Sequence, residues 1–468
     1  VPSMEIIRRI DEKFLLVMEA VMMLLEQNTD FMTFEQRLKE LLNGLGADVL
    51  KEVLSELDRK YQTDKTTRPG WEIVRKNDPK TVLTSFGKIS YDRTYFYNRS
   101  AKKYSYLVDE HVGFTPHMRV EPVVKAELLN LSTQVSYERA TEQLSRYDRD
   151  LKLSRQTVAN TVKEFELKQP EQFRKRKVKN IYIEADEDHV AGLEKGSRFQ
   201  VRLVYVHEGV VQDNFGGRRQ LKNVRYFTGV KSTPEEQWTE VADYICEAYE
   251  VEELERIYLS GDGGAWIKSG LEWIPEAIFI LDRFHLAKYI VIATAHVPHL
   301  RGLVYKGIEA GEKEAVMSTL QQALTEATGE PRKKRITKSI SYIANNWDGI
   351  QAYYKYDDVV GCSAEGHVSH ILSSRMSSRP MGWSKDGAES MSLMLASDYN
   401  GVDIEKHYLS SKKPSKLIGL KEEAQKQIKE IKKASAVGKE CWGNIPILQS
   451  GFSLTREALA GLKNTMIH

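Results

Sequence analysis

The chain has 468 residues, 41% hydrophobic and 29% charged, which excludes a low-complexity or disordered protein and leaves room for more than one domain. Its formal net charge is only +2, so any polyanion partner has to be met by local patches rather than by the bulk charge. Three cysteines, Cys246, Cys362 and Cys441, are too few and too widely spaced for a disulfide framework or a four-thiolate zinc site, and they point to a reducing, cytoplasmic setting.

Residues 1–75 read as a helical region: Ile10, Phe14, Val17, Val21 and Leu24 recur at spacings of three and four. The apolar stretch Phe14 to Leu25 is interrupted by Glu19 and falls short of the roughly 20 residues that a membrane span needs. It is therefore expected to be an amphipathic helix, with no membrane partner. Residues 76–118 form a β-hairpin region, because Thr81 to Tyr97 is rich in β-branched and aromatic residues around the pair Gly87-Lys88.

Residues 119–172 return to helical periodicity and resemble a helix-turn-helix unit. Ser136 caps a helix running through Tyr147, Asp148-Arg149-Asp150 makes the turn, and Ser154 caps a second helix running through Leu167. Arg155, Gln156, Asn160 and Lys163 on that second helix are candidates for contact with DNA bases or phosphates.

A different texture begins at 173–298. Strands are expected at Asn180 to Asp186, Phe199 to Val206 and Val224 to Val230, then a helix at Pro234 to Tyr249, then strands at Arg256 to Ser260 and Ala277 to Leu281. That order is the order of a ribonuclease-H-like α/β core, in which the C-terminal ends of strands carry the active site. Residues 299–358 read as an all-helical insertion that ends in a helix from Ile340 to Tyr354. Residues 359–402 return to the core, through a helix bearing Glu365, Ser369 and Leu372 on one face, with Arg375 and Arg379 further along as DNA-binding candidates. Residues 403–468 form a Lys-rich tail that includes Lys412, Lys413 and Lys416. Basic clusters stand at Arg174 to Lys177, at Arg218-Arg219 and at Arg332 to Arg335. Such clusters can track a phosphate backbone.

Carboxylates carry the candidate chemistry. In Ile181 to His189, side chains alternate across the strand, so Glu184, Asp186 and Asp188 share one face while Ile181, Ile183 and Ala185 share the other. Three acids on one face repel one another unless a cation joins them. A second hydrophobic strand, Ile257 to Ser260, ends in Gly261-Asp262-Gly263-Gly264, where glycines permit positive φ and close approach of a phosphate. Glu365 follows after the helical insertion. Two Asp and one Glu are the hard-oxygen ligands that Mg2+ or Mn2+ prefers, and two such ions about 4 Å apart can hold a scissile phosphate. Asp188 competes with Asp186 as the first ligand; Asp186 is preferred because it directly follows the apolar run.

The strand ending in Asp186, the run Ser260-Gly261-Asp262-Gly263-Gly264, the run Leu281-Asp282-Arg283-Phe284-His285-Leu286 and the run Cys362-Ser363-Ala364-Glu365-Gly366-His367 together resemble bacterial insertion-sequence transposases of the ISLre type. That group is similar to the wider Mutator-like DDE transposases. The resemblance spans nearly the whole chain. It implies that Asp186, Asp262 and Glu365 are the catalytic, metal-binding triad and that Asp282 and His285 form a supporting Asp-x-x-His element. It further implies cleavage and joining of DNA at the terminal repeats of an insertion sequence, a homodimer or larger assembly on DNA, and a bacterial, nucleoid-associated location. The alternatives are a non-catalytic DNA-binding descendant of such an enzyme and a structure-selective nuclease with the same core.

Overall fold

The structure, a computed structural model, describes residues 4–27, 30–144, 153–167, 173–211 and 220–412. Two compact units divide the chain, the first within 1–124 and the second within 125–411.

The first unit begins with helices α1 (Met4–Glu26) and α2 (Phe31–Thr63), the latter capped by Asp30, whose carboxylate accepts the Thr33 N–H. Strands β1 (Trp71–Thr84) and β2 (Gly87–Asn98) form an antiparallel hairpin, and β3 (Lys103–Ser105) extends the sheet beside β2. This hairpin is longer than the composition of 81–97 indicates, and its two-residue turn is Ser85-Phe86, with Gly87 already paired to Thr84. Helix α3 (Leu107–Val112) follows. Leu54 and Leu57 of α2, Val82, Ile89 and Tyr91 of the sheet and Val108 of α3 make the core of this unit. Beneath the sheet the buried Asp109 carboxylate accepts hydrogen bonds from Lys80, Tyr91 and Arg93. A buried charge is tolerated on these terms, paired and fully hydrogen-bonded.

Helices α4 (Pro122–Gln134), α5 (Tyr137–Leu144) and α6 (Arg155–Lys163) come next. Ser154 caps α6 as expected, accepting from the Thr157 N–H, but the helix stops at Lys163 instead of Leu167. The expected turn at Asp148 to Asp150 and the end of the preceding helix at Tyr147 lie outside the described residues.

The centre of the second unit is a five-stranded mixed sheet made of β4 (Asn180–Ala191), β5 (Arg198–His207), β8 (Arg225–Gly229), β9 (Arg256–Gly261) and β10 (Ala277–Leu281). A two-stranded ribbon, β6 (Val210–Val211) with β7 (Gln220–Leu221), interrupts the count. The spatial order is β10-β9-β4-β5-β8. β4, β9 and β10 run parallel, while β5 is antiparallel to both β4 and β8. Helix α7 (Pro234–Ala248) starts with a full capping box, Thr233 and Glu236 serving each other's backbone N–H, and with Pro234 in its first turn. It covers one face of the sheet, where Trp238, Val241 and Ile245 meet Ile181, Ile183, Val204 and Leu259. Trp238 is fully buried, and truncating such a residue to Ala costs about 3–5 kcal/mol.

After β9 come two short helices, α8 (Ala265–Lys268) and α9 (Gly270–Trp273), and after β10 comes α10 (Arg283–Thr294). With α11 (Pro298–Glu309), α12 (Lys313–Thr325), α13 (Glu330–Asn345) and α14 (Trp347–Lys355) it encloses a core of its own, built on Ile290, Val304, Leu320, Ile336 and Ile343. The helix expected from Ile340 to Tyr354 is two helices broken at Asn346, whose φ of −111° and ψ of 16° leave the helical region.

Helix α15 (Ala364–Val368) runs into a π-turn at Ser369–Ser373 and a single turn, α16 (Ser374–Met376). The extra residue per turn rotates the following side chains. Glu365 and Ser369 are exposed while Leu372 is buried, so these three do not share a face. Helices α17 (Lys385–Tyr399) and α18 (Ile404–Ser410) close the described chain. Most of the Lys-rich tail, including Lys413 and Lys416, lies outside it, as does the Arg218-Arg219 pair. Among the described residues, no helix is long and apolar enough to cross a membrane.

Candidate functional site

Strand register brings three aspartates together. Ala185 of β4 lies opposite Gly261 of β9, and Gly261 lies opposite Leu281 of β10. The next residue on each strand is Asp186, Asp262 or Asp282, so three carboxylates from three adjacent parallel strands stand at one level. The Asp282 N–H bonds the Gly261 carbonyl and holds that level across β9 and β10. β4 does not end at Asp186: it continues to Ala191, paired there with β5 alone. Asp186 therefore sits where the parallel partner leaves, which is what opens the sheet beside it.

The glycines around Asp262 have separate jobs. A Cβ on Gly261 would stand 2.9 Å from the Ala185 carbonyl, so the close approach of β9 to β4 beside Asp186 requires glycine there. Gly263 has a φ of +83°, and a Cβ on it would lie 2.5 Å from Asn346 Oδ1. Asp262 is held from both ends. Its Oδ1 accepts the Gly264 N–H at 2.8 Å, and its carbonyl accepts the Tyr342 hydroxyl at 2.6 Å.

The electrostatics follow from this crowding. Burial, followed by the charges of Glu187 and Asp262, pushes the Asp186 carboxyl up to about 6, against the pull of the Glu187 N–H and His285. Asp282 caps α10 by accepting the Phe284 and His285 N–H groups, and its Oδ2 lies 2.7 Å from His285 Nδ1. Burial raises the Asp282 carboxyl, but the His285 hydrogen bond and the Phe284 N–H override it and hold it below its ordinary value. His285 is raised in turn, first by its bond to Asp282 and also by the charges of Asp262 and Asp186. Its imidazolium form is thus favoured among three acids.

The remaining candidates divide. Asp188 shares the Asp186 face, and its Oδ2 is buried without a hydrogen-bond partner among the described residues. Glu184, two residues before Asp186, is no open ligand. It is 1% exposed and bonded to His207, Tyr205 and the Ser363 N–H. Those bonds anchor the segment leading into α15 against β4, so Glu365, exposed and two residues beyond Ser363, belongs to the element over that face. Among the described residues, no three His, Cys, Asp or Glu side chains stand close enough to hold one metal ion. The donor chemistry here is nonetheless hard oxygen: Asp186 and Asp262 repel across the strand ends, and Asp188 keeps an unsatisfied buried oxygen.

Arg155, Gln156, Asn160 and Lys163 are all exposed on α6, with Gln156 Nε2 donating to Asn160 Oδ1. Arg375 is not available to DNA. It is 6% exposed, its Nε donates to the Ser132 carbonyl, and its guanidinium stacks over Tyr137 and Trp383. Arg379 is exposed but lies beyond the helix. Of the basic clusters, Arg332 to Arg335 is exposed on α13, whereas Arg176 bonds Tyr244 and Tyr249 and Lys177 pairs with Glu250 and Glu253.

Sequence reasoning missed Tyr342, which stacks on Tyr289 with ring centroids 3.8 Å apart, and Glu187, which accepts from Trp266 Nε1 at 2.6 Å. No local pattern marks either, because their partners lie about 80 residues away.

The family model of the uncharacterised protein family UPF0236 matches residues 24–413. The chain belongs to the UPF0236 family. UPF0236 protein TTE2489 of Caldanaerobacter subterraneus subsp. tengcongensis is 39% identical over 432 residues, covering 92% of this chain and 91% of its own. A UPF0236 protein of the same bacterium, whose name joins eleven locus designations from TTE0033 to TTE2212, is also 39% identical, over 92% of this chain and 90% of its own. A UPF0236 protein from the vanSb 3′ region of Streptococcus gallolyticus is 26% identical, over 81% of this chain and 84% of its own. All the strands and acids described above lie within the stretch that defines UPF0236 membership.

Proposed function

We propose that this UPF0236 protein is a DNA transposase of the DDE class, with Asp186, Asp262 and Glu365 as its catalytic and metal-binding acids. The observation that carries the reading is the row of Asp186, Asp262 and Asp282 on three neighbouring parallel strands, with Asp186 pushed up to about 6. Further support comes from the strand order β10-β9-β4-β5-β8, which is the order expected of a ribonuclease-H-like core, with the helices α10 to α14 following β10. A relative whose one name covers eleven loci of a single genome fits a gene that copies itself.

A bound Mg2+ or Mn2+ would supply activation of a water or 3′-hydroxyl and charge neutralisation at the scissile phosphate. Asp186 and Asp262 would hold it, with Glu365 or Asp188 completing the ligands. The chain's own residues do the rest. Gly263, at a φ of +83°, lets the backbone turn sharply after Asp262 while packing against Asn346. Tyr342 fixes the Asp262 carbonyl from the insertion. His285, whose imidazolium form its bond to Asp282 favours, would offer positive charge beside the acids where a phosphate would bring negative ones. DNA would be held by α6 and the exposed basic turn of α13. Two element ends require two such sites, hence a dimer or larger assembly on DNA.

The test is Asp262→Asn. Asn keeps the acceptor for the Gly264 N–H, so folding and DNA binding should persist, while nicking and strand joining on DNA carrying the gene's own flanks should fall together. A loss of roughly 3 kcal/mol at a developing charge corresponds to about a hundredfold in rate. Cleavage and joining near the wild-type rate would refute the assignment, and cleavage without joining would favour a nuclease.

A further inference from the structure

The first unit carries a cationic, tyrosine-lined cavity of about 950 Å3 on the β1-β2-β3 sheet, and the reading above makes no use of it. Arg75, Lys80, Lys88, Arg93, Lys103 and Arg119 line it. Several of these charges are already committed: Lys80 and Arg93 to Asp109, Lys103 to Glu110, and Arg75 to Asp78. Lys88 and Arg119 are exposed and have no acidic partner among the described residues. Six cations against two lining acids, Asp109 and Glu110, leave the wall net positive, and Lys88 and Arg119 are not needed to hold the fold.

The aromatic side of the cavity has the complementary chemistry. Tyr95 and Tyr104 stack with centroids 5.4 Å apart and planes 11° apart, and Tyr106 closes on Tyr95 at 4.8 Å. Arg75 lies over the Tyr95 ring at 4.6 Å and Arg93 over Tyr106 at 3.7 Å. Tyr104 also packs on Tyr97, with centroids 4.6 Å apart, so the ladder holds it in place, yet it is still 53% exposed. A half-exposed ring already held in a stack, in a cavity whose wall also carries unpaired cations further along the sheet, is a platform on which an unpaired base stacks while neighbouring phosphates of the same strand are neutralised.

We propose that this cavity binds an unpaired DNA strand, with Tyr104 stacking on a base and Lys88 and Arg119 contacting phosphates. The inference rests on the proposed DNA-processing role only for the source of such a strand, the frayed or nicked element end. Duplex DNA does not explain the tyrosine ladder, because paired bases keep their faces stacked on each other.

The test uses the full chain in EDTA, so that no chemistry occurs, with a fluorescent oligothymidylate of about 12 nucleotides read by anisotropy. Tyr104→Ala should weaken binding about tenfold without changing the salt slope, and Tyr104→Phe should restore it. Lys88→Ala combined with Arg119→Ala should weaken binding and reduce the slope of log affinity against log salt by about 1.4, two single-strand phosphates at roughly 0.7 each. Thermal melting of the Lys88→Ala, Arg119→Ala variant should match the wild type, since neither cation has an acidic partner to lose, and Tyr104→Phe, which keeps the ring contacts, is the folding control for Tyr104→Ala. Unchanged affinity in both variants would overturn the proposal. So would a loss confined to duplex DNA, or an equal loss for heparin when Tyr104 is replaced, which would mark a polyanion surface without base stacking. Because binding is read without metal, a failure here leaves the Asp262 result standing, and an inactive triad leaves this result standing.

Discussion

Replacing Asp186 by Asn should make the folded protein more stable at neutral pH, and the gain should disappear in acid. The Asp186 carboxyl lies at about 6 in the folded chain, against 3.8 for the free side chain. Between those values the folded state keeps a proton that the unfolded state has released, so unfolding becomes easier as pH rises through the window. Above about 6 both states are ionised and the full penalty stands, roughly 3 kcal/mol at 1.36 kcal/mol per pH unit, which solvent at the partly open strand end reduces to about 1–3 kcal/mol. Below 3.8 both are protonated and no penalty exists. His285 runs the other way. It is raised in the folded state, so its contribution is full below its unfolded value and is lost as pH rises through the folded one. That contribution is shared by wild type and variant apart from the Asp186 charge itself, and the difference between the two isolates Asp186. Urea unfolding followed by tryptophan fluorescence, at steps between about pH 4 and pH 8, should give a stability difference that grows from about pH 4 to about pH 6 and then levels. Added Mg2+ should stabilise the wild type by occupying the site and leave Asp186→Asn nearly unmoved. A difference that is constant across pH, or a variant less stable than wild type at about pH 7 to 8, would refute the crowded-carboxylate account.

Gly263→Ala should cost about 1–3 kcal/mol, because an L-residue would have to adopt a φ of +83° and its Cβ would meet Asn346; unchanged urea midpoints would show that the turn relaxes freely. Tyr342→Phe removes the hydroxyl that holds the Asp262 carbonyl and should cost about 1 kcal/mol of stability while lowering strand cleavage more than DNA binding, as read by parallel nicking and gel-shift assays. Arg375→Ala should destabilise by about 2–4 kcal/mol through the orphaned Ser132 carbonyl and the missing packing on Tyr137 and Trp383, whereas Arg379→Ala should leave the melting curve unchanged. On α6, Arg155→Ala with Lys163→Ala should weaken duplex DNA binding and flatten its salt dependence by about 0.9 for each phosphate no longer neutralised; an unchanged slope would move recognition to another surface.

Local chemistry made much of this chain legible in one dimension. Short runs rich in apolar and β-branched residues mark the five strands, because a central strand is buried along most of its length, and the termini found at Ala277 and Leu281 are those expected. The capping residue Ser154 announces its helix, since a hydroxyl beside the unpaired N–H groups of the first turn acts within a few residues. Asp262 stands out because only glycines allow the turn around it. What the sequence could not say was which polar side chains face inward. Glu184 reads as one of three acids on an open face, yet it is buried against His207, Tyr205 and Ser363, the last 179 residues away. Arg375 reads as a free cation and is walled in by Ser132, Tyr137 and Trp383. The level alignment of Asp186, Asp262 and Asp282 depends on strand register, and the pull on Asp262 depends on Tyr342 arriving from a separate helical core. Periodicity and capping are set by neighbours along the chain, so the sequence alone determines them. Burial of a charge and the pKa that follows are set by whatever packs against it, and only the tertiary structure decides that.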